Sequence, residues 1–160
     1  MRFPVALSLP NLVTLARILT VPLILALLYL NHPVWAATLF LLVALSDAVD
    51  GMLTRKLNQV TELGKLLDPL ADKVLVVSTL IVLVELKNVP ALAVALIAVR
   101  ELLITAVRTS GAKWWGKLKT VSQIIAVLML IMSWPYALEA LWLAVILTWI
   151  SGVDYLVRRS

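Results

Sequence analysis

Four aspartates carry the chemistry available to this chain. Asp47 and Asp50 are three residues apart, Asp68 and Asp72 four apart, and both pairs lie in the midst of strongly apolar sequence. On a helix such spacings place each pair on one face. An aspartate at the centre of a membrane helix costs roughly 2.5 to 3.5 kcal/mol, so four of them need a compensating partner. Two facing carboxylate pairs form an all-oxygen donor set, which suits a hard divalent cation such as Mg2+ or Mn2+. The same stripe carries small residues. Asp47, Asp50, Gly51 and Thr54 fall at i, i+3, i+4 and i+7, and Gly64, Asp68 and Asp72 at successive i+4 positions. Glycine there removes a Cβ beside the acids and leaves room for a ligand against bare backbone. Taken singly, each glycine is equally a helix-packing residue.

The elements that must position these residues follow from composition. Hydrophobic residues make up 62% of the 160 residues and charged ones 14%, and the mean hydropathy is +1.03; together these specify a polytopic membrane protein. The reading is an all-α bundle of about six transmembrane helices with a short N-terminal interfacial segment, forming one integral-membrane domain over residues 1–160. The expected spans are Leu12 to Leu30, Val34 to Leu53, Leu63 to Val84, Ala91 to Arg108, Lys119 to Trp134 and Ala137 to Leu156. Breaks are expected at Asn31-His32-Pro33, in the polar run from Arg55 to Glu62, from Glu85 to Pro90, from Thr109 to Lys117 and at Ser133-Trp134-Pro135. No cleavable signal peptide is expected before Leu12.

Arg2, Arg55, Lys56, Arg108, Lys113, Lys117, Lys119, Arg158 and Arg159 fall on one side of that topology, against Lys87 on the other. The positive-inside rule therefore puts both termini and the carboxylates on the cytoplasmic side of the inner membrane. It also accounts for the net charge of +5, so no nucleic-acid partner is implied. The absence of cysteine excludes disulfides, thiolate nucleophiles and cysteine-ligated zinc. The single histidine, His32, falls at the far end of the topology, so proton abstraction beside the acids is left to a carboxylate. With no cysteine and no histidine beside the acids, no covalent enzyme intermediate is expected.

The run Asp47-x-x-Asp50-Gly51-x-x-Thr54-Arg55, eight residues, Gly64, three residues, Asp68, three residues, Asp72 resembles the signature of the CDP-alcohol phosphotransferase family. Seven of its eight specified positions match; Thr54 stands where the family has alanine. Pro10-Asn11-x-x-Thr14-x-x-Arg17 resembles the family's N-terminal element. The resemblance implies a CDP-linked lipid as donor, transfer of its phosphatidyl group to an alcohol, and release of CMP. It implies that Asp47, Asp50, Asp68 and Asp72 hold the metal, with two ions expected, and that Asp72 is also the general base. Asn11, Thr14, Asp47, Asp50, Gly51, Thr54, Arg55 and Gly64 are implied at the nucleotide, and a homodimer is implied as the assembly. Without the resemblance, Asn11 reads as a helix cap and Arg17 as a cation reaching the headgroups.

Charged residues within apolar spans are functional candidates. Arg100 and Arg108 are eight apart, close to one helical face, and arginine suits phosphate. The runs Val99 to Arg108 and Gly116-Lys117-Leu118-Lys119-Thr120 resemble the branch of the family whose acceptor is glycerol 3-phosphate, with Arg17, Arg100, Arg108 and Lys119 implied at the acceptor's phosphate. The product would be phosphatidylglycerophosphate, and CDP-diacylglycerol the donor. Arg100-Glu101 also reads as a structural ion pair, and Lys113 and Lys117 as a positive-inside loop. Two alternatives stand beside this reading. One is a relative with another acceptor, such as a cardiolipin synthase or an inositol-phosphate-using synthase. The other is a divalent-cation transporter, which leaves Gly51, Arg55 and Gly64 unexplained and places the acids away from the midplane.

Overall fold

The computed structural model describes residues 9–57, 62–87, 89–106 and 114–157; within the helices, the side chains of 9–15, 17, 47–57, 62–72, 105–106, 114–117 and 154–157 lie outside the description. All described secondary structure is helical: α1 Leu9–Tyr29, α2 Pro33–Leu57, α3 Glu62–Lys87, α4 Ala91–Ala106, α5 Trp114–Ile131 and α6 Ala137–Val157.

Two boundaries depart from the sequence expectation in a way that bears on the site. Helix α2 runs on to Leu57, so Arg55 and Lys56 belong to a helix and not to a connecting run. Helix α5 begins at Trp114, so the whole of Gly116 to Thr120 is helical. Helix α3 continues through Pro69, whose ring costs it a hydrogen bond without ending it.

Two ends share one device. The backbone N–H of His32 donates to Leu27 O (2.9 Å) and that of Asn31 to Leu28 O (3.0 Å), with Asn31 at φ 57°. Trp134 N–H donates to Met129 O (2.9 Å) and Ser133 N–H to Leu130 O (3.1 Å), with Ser133 at φ 53°. Both are Schellman caps that satisfy the last carbonyls, and the proline that follows in each case prevents continuation. This stops α5 at Ile131, short of the expected Trp134.

Short connections make successive helices antiparallel. The N-terminal ends of α1, α3 and α5 therefore gather with the C-terminal ends of α2, α4 and α6. At the opposite end the Tyr29 hydroxyl, on the last residue of α1, donates to Glu85 Oε2 near the end of α3 at 2.6 Å. Helix α1 packs chiefly on α3 and α2, and α5 on α6.

Ile24, Phe40, Leu80, Leu83, Ile97, Ile131 and Leu141 form the centre of the core, with buried Ala36, Ala93, Ala126 and Ala144 letting the helices approach. The outer surface is also apolar: Leu19, Trp35, Leu92 and Leu102 are each 64–68% exposed. The outward hydroxyls of Thr38 and Ser46 donate back to Val34 O and Leu42 O, both at 2.8 Å. Among the described residues no helix is long and apolar enough to cross a membrane.

Candidate active site

A few polar and charged side chains are buried inside this bundle. Alongside the apolar core, Arg100, Glu101, Gln123, Thr148 and Ser151 are buried, Arg100 being only 4% exposed. Charges in such surroundings must be paired and hydrogen-bonded, and these are. Three donors converge on a single carboxylate oxygen, Glu101 Oε1: Lys119 Nζ at 2.5 Å, Arg100 Nη1 at 3.1 Å and Gln123 Nε2 at 3.5 Å. Arg100 Nη2 donates to Ser151 Oγ at 3.2 Å, and Gln123 Nε2 donates to Thr148 Oγ1 at 2.9 Å. Helices α4, α5 and α6 are thus joined by one polar network.

A small pocket opens beside this network, lined by Lys73, Val76, Val77, Ile97, Glu101, Lys119, Thr120 and Gln123. Its wall carries two cations and one carboxylate, with Arg100 buried behind, so the surroundings favour an anion. Lys119 lies on this wall. Arg100 does not: it reaches the pocket only through Glu101.

Helix α3 connects the pocket with the aspartates. Val76, on the pocket wall, is the next i+4 position after Gly64, Asp68 and Asp72, so by register it continues the carboxylate stripe about 6 Å further along the helix. Lys73 directly follows Asp72. The second aspartate pair lies in the last three turns of α2, and the four residues to α3 span at most about 18 Å, so both pairs sit toward the same end of the bundle.

The remaining sequence candidates are placed by their backbones. Asn11, Thr14 and Arg17 lie in α1, Asp47, Asp50, Gly51, Thr54 and Arg55 in α2, and Gly64, Asp68 and Asp72 in α3; their side chains lie outside the described residues, as does the whole of Arg108. Among the described residues no group of three metal-ligating side chains comes together. The sequence reading did not single out Lys73, Gln123, Thr148, Ser151 or Gly152. Lys73 had a usable signal, a cation in an apolar span next to a site acid. The others are isolated polar or small residues whose role depends on which helix lies opposite.

A family model described as CDP-alcohol phosphatidyltransferase matches residues 7–150. This chain belongs to that family. The match takes in both the aspartate segments and the α4 and α5 residues of the pocket, and stops just before Ser151. Among similar proteins of the family is the CDP-diacylglycerol–glycerol-3-phosphate 3-phosphatidyltransferase of Bacillus subtilis (strain 168), 39% identical over 95% of each chain. The protein of the same name from Rickettsia typhi is 37% identical over 92% of this chain and 94% of its own. A probable phosphatidylglycerophosphate synthase of Mycobacterium tuberculosis (strain H37Rv) is 37% identical over 94% of this chain and 81% of its own. The chain is thus a CDP-alcohol phosphatidyltransferase by family, an enzyme class that transfers phosphatidyl groups in phospholipid synthesis.

Proposed function

We propose that this protein transfers the phosphatidyl group of CDP-diacylglycerol to glycerol 3-phosphate, forming phosphatidylglycerophosphate and CMP. The observation that carries this reading is the cation-bearing pocket on the continuation of the α3 carboxylate stripe. An acceptor whose phosphate rests against Lys119 and Lys73 would direct its hydroxyl toward Asp72, and glycerol 3-phosphate has a phosphate at one end and a hydroxyl at the other. The names of the relatives agree with it.

The donor set of Asp47, Asp50, Asp68 and Asp72 consists only of carboxylate oxygens on two helices that meet at one end, which fits hard divalent cations. Two Mg2+ or Mn2+ ions held there would neutralise the diphosphate of the donor. The chain's own residues then have distinct tasks. Asp72 takes the proton of the acceptor hydroxyl, whose oxygen forms a bond to the phosphatidyl phosphorus. The bridging phosphorus–oxygen bond breaks, and its electron pair leaves on the phosphate of CMP. Asn11, Thr14, Gly51, Thr54, Arg55 and Gly64 border the nucleotide, and Arg17 and Arg108 supply further positive charge toward the acceptor.

The lipid substrate agrees with a place in the bilayer. Large apolar side chains cover much of the outside while Arg100, Glu101 and Gln123 are buried within, and the exposed hydroxyls of Thr38 and Ser46 bond within their own helix. With the clustered cations on the cytoplasmic side, the site opens to the compartment that holds a soluble phosphorylated acceptor.

The test is CMP release by the purified protein, supplied with CDP-diacylglycerol and a panel of alcohols. Glycerol 3-phosphate is expected to far exceed glycerol, since each lost charge-assisted hydrogen bond costs roughly 1.5 to 3 kcal/mol. Equal use of the two would refute the acceptor.

A further inference from the structure

Lys119 is a cation on the pocket wall, yet a lysine is a point charge on a flexible four-carbon stem. Something must aim it. The contact that does so is Glu101 Oε1 at 2.5 Å. Glu101 in turn is held by Arg100, its neighbour in sequence, and adjacent side chains on a helix diverge and do not face each other. The pair meets because α6 holds the arginine from the other side. Ser151 Oγ accepts from Nη2 at 3.2 Å, and Gly152 leaves the guanidinium space: a Cβ built on it would stand 3.2 Å from Nε and 3.7 Å from Nη2. Nε is buried without a hydrogen-bond partner, pressed against this bare stretch of backbone. The second α6 contact runs from Thr148 through Gln123 to the same Oε1. Thr148 and Ser151 are i,i+3, so one face of α6 fixes both lateral donors of Glu101.

From this we infer that Glu101 is a positioning residue that aims Lys119 at the acceptor's phosphate, and that α6 holds Glu101 in place through Ser151 and Gly152 by way of Arg100. The inference rests on the reading of the pocket as the acceptor site. It gives the last helix a task in the reaction, through residues that lie just past the family match.

The experiment is a set of double-mutant cycles read in the Michaelis constant of each substrate, using the full-length protein in mixed micelles of detergent and CDP-diacylglycerol. Glu101→Gln is expected to raise KM for glycerol 3-phosphate about tenfold, and Ser151→Ala and Gly152→Ala about threefold each. KM for the CDP-lipid should stay at the wild-type value. In a Lys119→Ala background none of the three should add a further loss, because a residue that acts through the lysine has nothing left to position. Alanine is the better helix former, so a defect in Gly152→Ala cannot be attributed to a weakened α6.

A purely structural role would raise both Michaelis constants together or add to the Lys119→Ala defect, and either result overturns the inference. If Lys119→Ala raises the acceptor KM while the three variants leave it unchanged, the inference fails and the acceptor reading stands. If Lys119→Ala itself leaves the acceptor KM unchanged, both fail. Should Glu101→Gln not yield monodisperse protein, Ser151→Ala carries the test, since it removes one hydroxyl and little else.

Discussion

The carboxylate segment and the cationic pocket lie toward the same end of one bundle and are built by opposite strategies. The first takes all its acids from two consecutive helices within 26 residues, from Asp47 to Asp72. Helical periodicity alone aligns the members of each pair. The second draws on α3, α4, α5 and α6, from Lys73 to Gly152, and its members are brought together only by packing. On the proposed reading the stripe would tolerate no charge loss, because its ligands would share a cation. A pocket lined by several helices and backed by a hydrogen-bond network across α4, α5 and α6 can lose one member and degrade by degrees.

Neutralising the acids should have the largest effect. Asn at any one of positions 47, 50, 68 or 72 is expected to lower turnover about a thousandfold, a loss of roughly 4 kcal/mol of transition-state stabilisation. Protein yield should hold, because neutral residues are cheaper than acids in an apolar setting. Near-normal turnover in two of the four variants, measured by CMP release from folded protein, would end the metal assignment.

The pocket should respond in binding instead. Lys119→Ala is expected to raise the acceptor KM by about ten- to a hundredfold while the CDP-lipid KM changes little, as follows when one charge-assisted contact is lost. A defect confined to the CDP-lipid would move the pocket to the nucleotide side.

Thr54, the departure from the family signature, tests the nucleotide face. Thr54→Ala should be tolerated, and Thr54→Leu should weaken CDP-lipid affinity about fivefold by crowding the stripe, at about 1 kcal/mol, the low end of overpacking costs. Wild-type affinity for the leucine variant would show that this face does not meet the nucleotide.

The smallest effect is expected one residue before the first site acid. The Ser46 hydroxyl donates to Leu42 O within its own helix, so Ser46→Ala should change stability by about 0.5 kcal/mol or less and leave kinetics alone. A large kinetic defect would mean that the stripe is wider than the register of Asp47, Asp50, Gly51 and Thr54.

Much of this architecture could be read from the chain. Apolar runs and their interruptions place six helices in order, and the turns Asn31-His32-Pro33 and Ser133-Trp134-Pro135 carry local chemistry, a left-handed cap residue followed by proline, that ends a helix wherever it is packed. The aspartate spacing was equally legible because i,i+3 and i,i+4 relations are properties of one helix. Tertiary structure decided the rest. Arg100 and Lys119 each qualified as phosphate ligands by residue type, but only the packing of α6 against α4 buries Arg100 behind Glu101 and leaves Lys119 at the pocket. Lys73 became a pocket residue only when α3 met α4 and α5. Ser151 and Gly152 offered no motif at all; their part depends on the guanidinium of Arg100, on a different helix. Periodicity is a local property that a sequence states directly, whereas the partner of a side chain across a helix interface is chosen by the fit of the whole core.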